Sequence, residues 1–214
     1  MYSLIACIDF YFLKLMSKKD IKRKQVGIFS GSFNPIHIGH VMLANYITEF
    51  SDIDEVWFVV TPHNPLKQVN GLANEKARLE MCEIAVEKMN KLKVSDIEFS
   101  MPKPSYTIDT LDRLKNDYPA LDFTLIVGAD NWSNFHLWRA YKRIIEENKV
   151  LIYPRLGEEL TIDKQYSHNV KPCNAPILQI SSTFVRSSIG EKKNIASFLP
   201  NGVYEYIMTH KLYQ

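Results

Sequence analysis

The chain has 214 residues, 46% of them hydrophobic, with 26 Lys and Arg against 24 Asp and Glu and a net charge of +2. At that size a folded chain buries roughly 70% of the surface its unfolded form exposes, which suits one compact domain. The near balance of charge excludes the strongly basic footprint of a nucleic-acid binder, and no stretch is long or apolar enough to span a membrane as a helix. Neither a nucleic acid nor a membrane is therefore expected as a partner, and any anionic ligand must be gripped locally.

Residues 1–24 read as an N-terminal extension, poorly ordered, and 25–214 as the single domain. The apolar run LIACIDFYFL is broken by Asp9 and lacks the preceding basic residues of a secretory signal, and SKKDIKRK after it is a solvated basic tract. Met16 stands just before that tract and reads as the natural start. Mass spectrometry of natively expressed protein tests this, and an intact Met1 peptide as the main species refutes it. Cys7, Cys82 and Cys173 are odd in number and scattered, with no CxxC pair, which suits reduced thiols and a cytoplasmic protein.

From Val26 onward, short β-rich runs alternate with longer segments of helical period. The strands expected are VGIFS, EVWFVV, LKVSDIEF, DFTLIVG, KVLIYP and PILQI; the helices are 40–50, 74–91, 107–118, 135–147 and 183–190. Residues 154–175 read as a connecting excursion, and the tail as a turn at Pro200-Asn201-Gly202 followed by a short helix. This alternation predicts an α/β fold of the Rossmann-like, doubly wound kind, a parallel sheet with helices on both faces. Right-handed crossovers then put ligands outside the carboxyl ends of the strands.

The first strand leads into GSFNPIHIGH, residues 31–40. A strand turning into a helix there aims unpaired backbone N–H groups at whatever sits above the strand end, an anion site. Gly31 and Ser32 let backbone approach a phosphate, and Pro35 fixes the loop. The pattern is neither GxxxxGK[ST] nor GxGxxG. His37 and His40, three apart, share a face and can reach one phosphate. A surface histidine pair or part of a metal site are the other readings, although HxxH here has no HExxH frame and no cysteine pair.

Near the other end, Ser181, Ser182 and Thr183 of ISSTFVR read as a helix cap that again presents backbone donors. Arg186 falls one turn in, where its planar fork suits phosphate oxygens, or, more plainly, where it faces solvent. Between the two motifs lie NPLK with Lys67 at a strand end, SYTIDTL with Thr107 as helix cap and Asp109 in the first turn, GADNW with Asp130, and LWRAY with Trp138 and Arg139.

HxGH and ISSTxxR are together the two signatures of a nucleotidylyltransferase superfamily, and the full series, in order, resembles the bacterial nicotinate-nucleotide adenylyltransferases from about Val26 to Tyr213. The resemblance implies adenylyl transfer from ATP to nicotinate mononucleotide, giving deamido-NAD and pyrophosphate, with Mg²⁺ carried on the phosphates and no protein-held metal. It implies catalytic roles for His37, His40 and Arg186, and an ATP site of Gly31, Ser32, Phe33, His37, His40, Ser181, Ser182, Thr183 and Arg186. Lys67, Thr107, Asp109, Asp130, Trp138 and Arg139 would then serve the acceptor, with Trp138 stacking on the pyridine ring. Where family members often show Pro-His-Lys, this chain has Pro65-Leu66-Lys67, so the role of that histidine is absent or passed elsewhere.

The residues alone leave further readings open. Trp138 could be core and Asp109 a simple first-turn carboxylate, and Trp132 could be the stacking partner instead. Nicotinamide mononucleotide is the rival acceptor, phosphopantetheine a less favoured one, and a non-catalytic nucleotide-binding protein of the same fold the rival class. Homo-oligomerisation stays open.

Overall fold

In the computed structural model, which describes residues 23–62 and 71–214, six strands form one sheet in the order β3-β2-β1-β4-β5-β6. They are β1 (Lys24–Gly31), β2 (Glu55–Val60), β3 (Leu92–Ser95), β4 (Leu121–Gly128), β5 (Lys149–Tyr153) and β6 (Val170–Pro172), and every neighbouring pair is parallel. The helices are α1 (Ile38–Phe50), α2 (Glu75–Val86), α3 (Thr107–Asp117), α4 (Ala129–Ser133), α5 (Tyr141–Glu147), α6 (Ser182–Gly190) and α7 (Val203–Thr209).

The strands are apolar on both faces because both faces are covered. Phe29, Val56, Phe58 and Val60 pack with Val41, Met81, Val185 and Ile207 of α1, α2, α6 and α7. Their chain neighbours Ile28, Trp57 and Val59 point the other way, onto Ile108, Leu111 and Leu114 of α3 and Ile144 of α5. The sheet order reverses between β1 and β4, so a crevice opens where those two strands end, at Gly31 and Gly128.

Several element boundaries differ from the sequence reading. PILQI forms no strand among the described residues; the sixth strand is Val170–Pro172, inside the segment read as an excursion, and Cys173 N–H still donates to the Ile152 carbonyl at 2.7 Å. A three-residue strand is too short to show alternation, and only β5 beside it makes it one. β3 stops at Ser95 because the Asp96 carbonyl accepts from Phe99 N at 2.7 Å and turns Ile97–Ser100 into a 3₁₀ turn. The helix expected over 74–91 spans Glu75–Val86, with Asn74 as its cap, its side chain accepting from Lys76 N–H at 2.8 Å. The helix expected over 135–147 is split: Phe135–Leu137 is 3₁₀, and Ala140 at φ 54° breaks the period before α5. The short α4, which precedes them, was not expected. The tail follows the sequence, with Gly202 at φ 84° in the turn before α7.

Residues 1–22, with Cys7, Met16 and nearly all of the extension, lie outside the described residues, and so does Lys67. The strand β1 opens at Lys24, the last residue assigned to that extension. Among the described residues Cys82 and Cys173 are unbonded thiols, and no helix is long and apolar enough to cross a membrane.

Candidate functional site

Above the ends of β1 and β4 lies a cleft of about 410 Å³ whose wall includes Gly31, Ser32, Phe33, His37, His40, Asp130, Ser181, Ser182, Thr183 and Arg186. The HxGH and ISSTxxR segments, far apart in the chain, thus face one space. Local chemistry brings them there. Ser181 caps α6, its Oγ accepting from Phe184 N–H at 3.1 Å, which leaves the first turn's other N–H groups at the cleft. Ser182 Oγ donates to the Pro35 carbonyl at 2.9 Å and Arg186 Nη1 to the Asn34 carbonyl at 2.8 Å, fastening α6 to the loop after β1. Arg186 Nη2 donates to Thr183 Oγ1 at 3.3 Å, so its fork is held at the helix entrance.

His37 is the residue before α1, in extended conformation, and its ring stacks on that of His40 with centroids 3.7 Å apart and planes 22° from parallel. Gly39 allows this, since a Cβ there would stand 3.1 Å from His37 Nδ1. His37 N–H donates to His40 Nδ1 at 3.2 Å, so the neutral His40 ring carries its proton on Nε2. Phe33, at φ 44°, sets its ring edge-on to His40 at 5.2 Å. His37 is buried, and burial first, then the Arg155 guanidinium, lowers its pKa from 6.5 to about 4. Its Nδ1 has no hydrogen-bond partner among the described residues. His37, neutral in this setting, can donate an N–H bond to an oxyanion, and a bound anion favours its charged form.

The far wall of the cleft holds Asp130, Tyr153 and Arg155. Arg155 Nη2 donates to Tyr153 Oη at 3.0 Å, and its Nε lies 3.6 Å from Asp130 Oδ1. Gly128 is required here: a Cβ on it would stand 2.3 Å from Asp130 Oδ1 and 2.9 Å from Tyr153 Oη.

Thr107, Asp109, Trp138 and Arg139 do not line this cleft. They form a second group at the same carboxyl edge of the sheet. Arg139 Nη1 stands 3.3 Å from Asp109 Oδ2, and its guanidinium lies 4.7 Å from the Tyr106 ring centroid. Thr107 is the first helical residue of α3 rather than its cap, which is Tyr106. The cap is displaced by one residue because the buried Glu98 fixes this turn, accepting from Ser105 Oγ at 2.7 Å and Thr110 Oγ1 at 2.9 Å. Burial raises the Glu98 pKa against the pull of those hydroxyls and of Thr61. Trp138 and Trp132 both rest on Phe135, with centroids 4.7 and 5.0 Å away, and both are half-buried. Trp132 N–H is used by the Thr161 carbonyl at 3.0 Å, a tie that makes it the more structural of the two.

Three residues of the site escaped sequence reasoning. Arg155 follows the carboxyl end of a strand, a position that could have flagged it. Asn34 sits inside the quoted loop but bears no phosphate-binding signal, and Arg78 on α2 bears none either. Arg78 is fully buried and donates to the carbonyls of Ala73, Ser32, Thr61 and Pro62, joining the loops that follow β1 and β2.

Residues 28–188 match the cytidylyltransferase-like family, a span holding both histidines and Arg186. The chain belongs to that family and, within it, to the nicotinate-nucleotide adenylyltransferases. A protein of Bacteroides fragilis named "probable nicotinate-nucleotide adenylyltransferase" is 50% identical over 187 residues, 87% of this chain and 92% of the relative. One of the same name from Flavobacterium johnsoniae is 46% identical over 191 residues, 89% of this chain and 99% of the relative. The fold is that of Plasmodium falciparum nicotinic acid mononucleotide adenylyltransferase, solved in complex with NaAD, at a TM-score of 0.74 and 24% identity, covering 89% of this chain and 97% of that one.

Proposed function

We propose that this protein transfers the adenylyl group of ATP to nicotinate mononucleotide, giving deamido-NAD and pyrophosphate. The observation that carries the reading is the meeting of the stacked His37 and His40, Arg186 and the amino end of α6 in one cleft above β1 and β4. The names of the relatives supply the acceptor.

A nucleotide 5′-phosphate is already a nucleophile, so the protein has to hold it in line with the α-phosphorus and neutralise charge on the departing pyrophosphate. The acceptor oxygen bonds to that phosphorus as the bond to the bridging oxygen breaks, and no general base is needed. His37 and His40 face the α- and β-phosphates with N–H donors, while Arg186 and the backbone of Ser181–Thr183 hold the outer phosphates and Gly31, Ser32 and Phe33 line the approach. Among the described residues no cluster of three or more His, Cys, Asp or Glu is placed to hold a metal. Mg²⁺ would be carried by the ATP phosphates, as part of the substrate, and would neutralise charge on the leaving pyrophosphate. The acceptor lies over the second group: backbone N–H groups near Thr107 and Arg139 meet its carboxylate, Trp138 stacks on its ring and Asp109 stands beside it. Asp130 serves it from the wall of the first cleft, while Lys67 is assigned to the same substrate by the family resemblance alone. On this reading the enzyme works on small molecules in the cytoplasm.

Pyrophosphate release from ATP and Mg²⁺, measured side by side with nicotinate mononucleotide and nicotinamide mononucleotide, tests the proposal. Strong preference for the acid is expected. Preference for the amide overturns the acceptor site, and silence with both overturns the reaction.

A further inference from the structure

Tyr213 stands next to the last residue of the chain, yet its phenol reaches the loop after β1. Its Oη donates to Asn34 Oδ1 at 2.7 Å, a bond between residues 179 apart in sequence. The ring packs against the core that also holds Phe33, Ile36 and Val185. The backbone of Tyr213 is at φ 64°, a conformation that a bulky residue keeps only where its surroundings hold it. Burial raises the phenol's pKa despite the opposing pull of Arg186 and Arg78, so the hydroxyl remains a donor at neutral pH.

Asn34 is 7% exposed, and both polar atoms of its side chain are used. Nδ2 donates to the Gly71 carbonyl at 2.9 Å, and Oδ1 accepts from Ala73 N–H at 3.0 Å as well as from Tyr213. Its main-chain carbonyl receives Arg186 Nη1. One amide therefore joins the phosphate loop, the chain at 71–73, the carboxyl terminus and the arginine of α6.

We infer that Tyr213 is a positioning residue for the triphosphate site: its hydroxyl fixes the Asn34 amide, and Asn34 in turn fixes the carbonyl on which Arg186 rests. The inference builds on the adenylyl-transfer reading for its ligand, ATP, but not on the identity of the acceptor.

Tyr213→Phe tests it, since the ring and its packing stay and only the hydroxyl goes. The dissociation constant for ATP with Mg²⁺, measured by calorimetry without acceptor, is expected to rise about three- to tenfold, the scale of one neutral hydrogen bond. kcat/KM is expected to fall by a similar factor while Tm drops by no more than about 4 °C. A lower Tm with unchanged ATP affinity makes Tyr213 merely structural and overturns the inference. In an Asn34→Ala background the same substitution is expected to add nothing, and a further loss of equal size overturns the route through Asn34. A wild-type chain that binds ATP but turns over neither acceptor sinks the proposed reaction and leaves the Tyr213 comparison readable.

Discussion

Acidification is expected to strip stability from this fold through His37, because its imidazole is buried in the neutral state. The residue is 4% exposed, and burial together with Arg155 lowers its pKa from 6.5 to about 4. In the unfolded chain the same ring takes its proton near pH 6.5. Between those values the unfolded state binds more protons than the folded one, so stability rises with pH across the window and is lost as pH falls from 6.5 toward 4. The gap corresponds to about 3 kcal/mol over the whole window, at 1.36 kcal/mol for each pKa unit. Of that, about 2 kcal/mol is lost between pH 7 and pH 4.5. Carboxylates titrate over part of the same range, so the quantity to measure is the difference between wild type and His37→Asn in urea unfolding at the two pH values. Wild type is expected to lose about 2 kcal/mol more than the variant on acidification. Equal losses would refute the buried neutral ring. Saturating ATP is expected to shrink the gap, since phosphate favours the charged imidazole.

His40→Ala is expected to lower kcat by about two to three decades, the scale of one lost transition-state donor, and a change confined to KM in steady-state assays contradicts the role. Gly128→Ala forces Asp130 and Tyr153 aside, given the 2.3 Å and 2.9 Å approaches of the added Cβ, so kcat/KM is expected to fall at least tenfold in the same assays. Arg78→Met removes the donor to four backbone carbonyls, each costing about 1–3 kcal/mol when left buried and unpaired, so calorimetry is expected to show a Tm lower by 10 °C or more.

Much of this site is legible in the chain because its chemistry is local. The segment Gly31–His40 writes a strand end, a tight loop and a helix entrance into ten consecutive residues, and Ser181 with Arg186 does the same for α6. What escaped are residues whose work is done across the fold. Arg155 matters because β5 ends beside Asp130, and Arg78 because α2 passes beneath two loops. The mistaken strand at PILQI has the same origin: its apolar residues fit a β pattern, but the edge of β5 is already taken by Val170–Pro172.

The sequence by itself determined the α/β class and the two candidate helix entrances, since each rests on period and spacing within a short window, and it carried the resemblance to one family in motifs spread along the chain. Only the tertiary structure decided that those entrances share a cleft while Thr107, Asp109, Trp138 and Arg139 gather in a separate group. It alone decided that His37 is buried enough to stay neutral, and that the last tyrosine, Tyr213, bonds to Asn34. Burial and long-range hydrogen bonds depend on which elements pack together, and no local pattern encodes that.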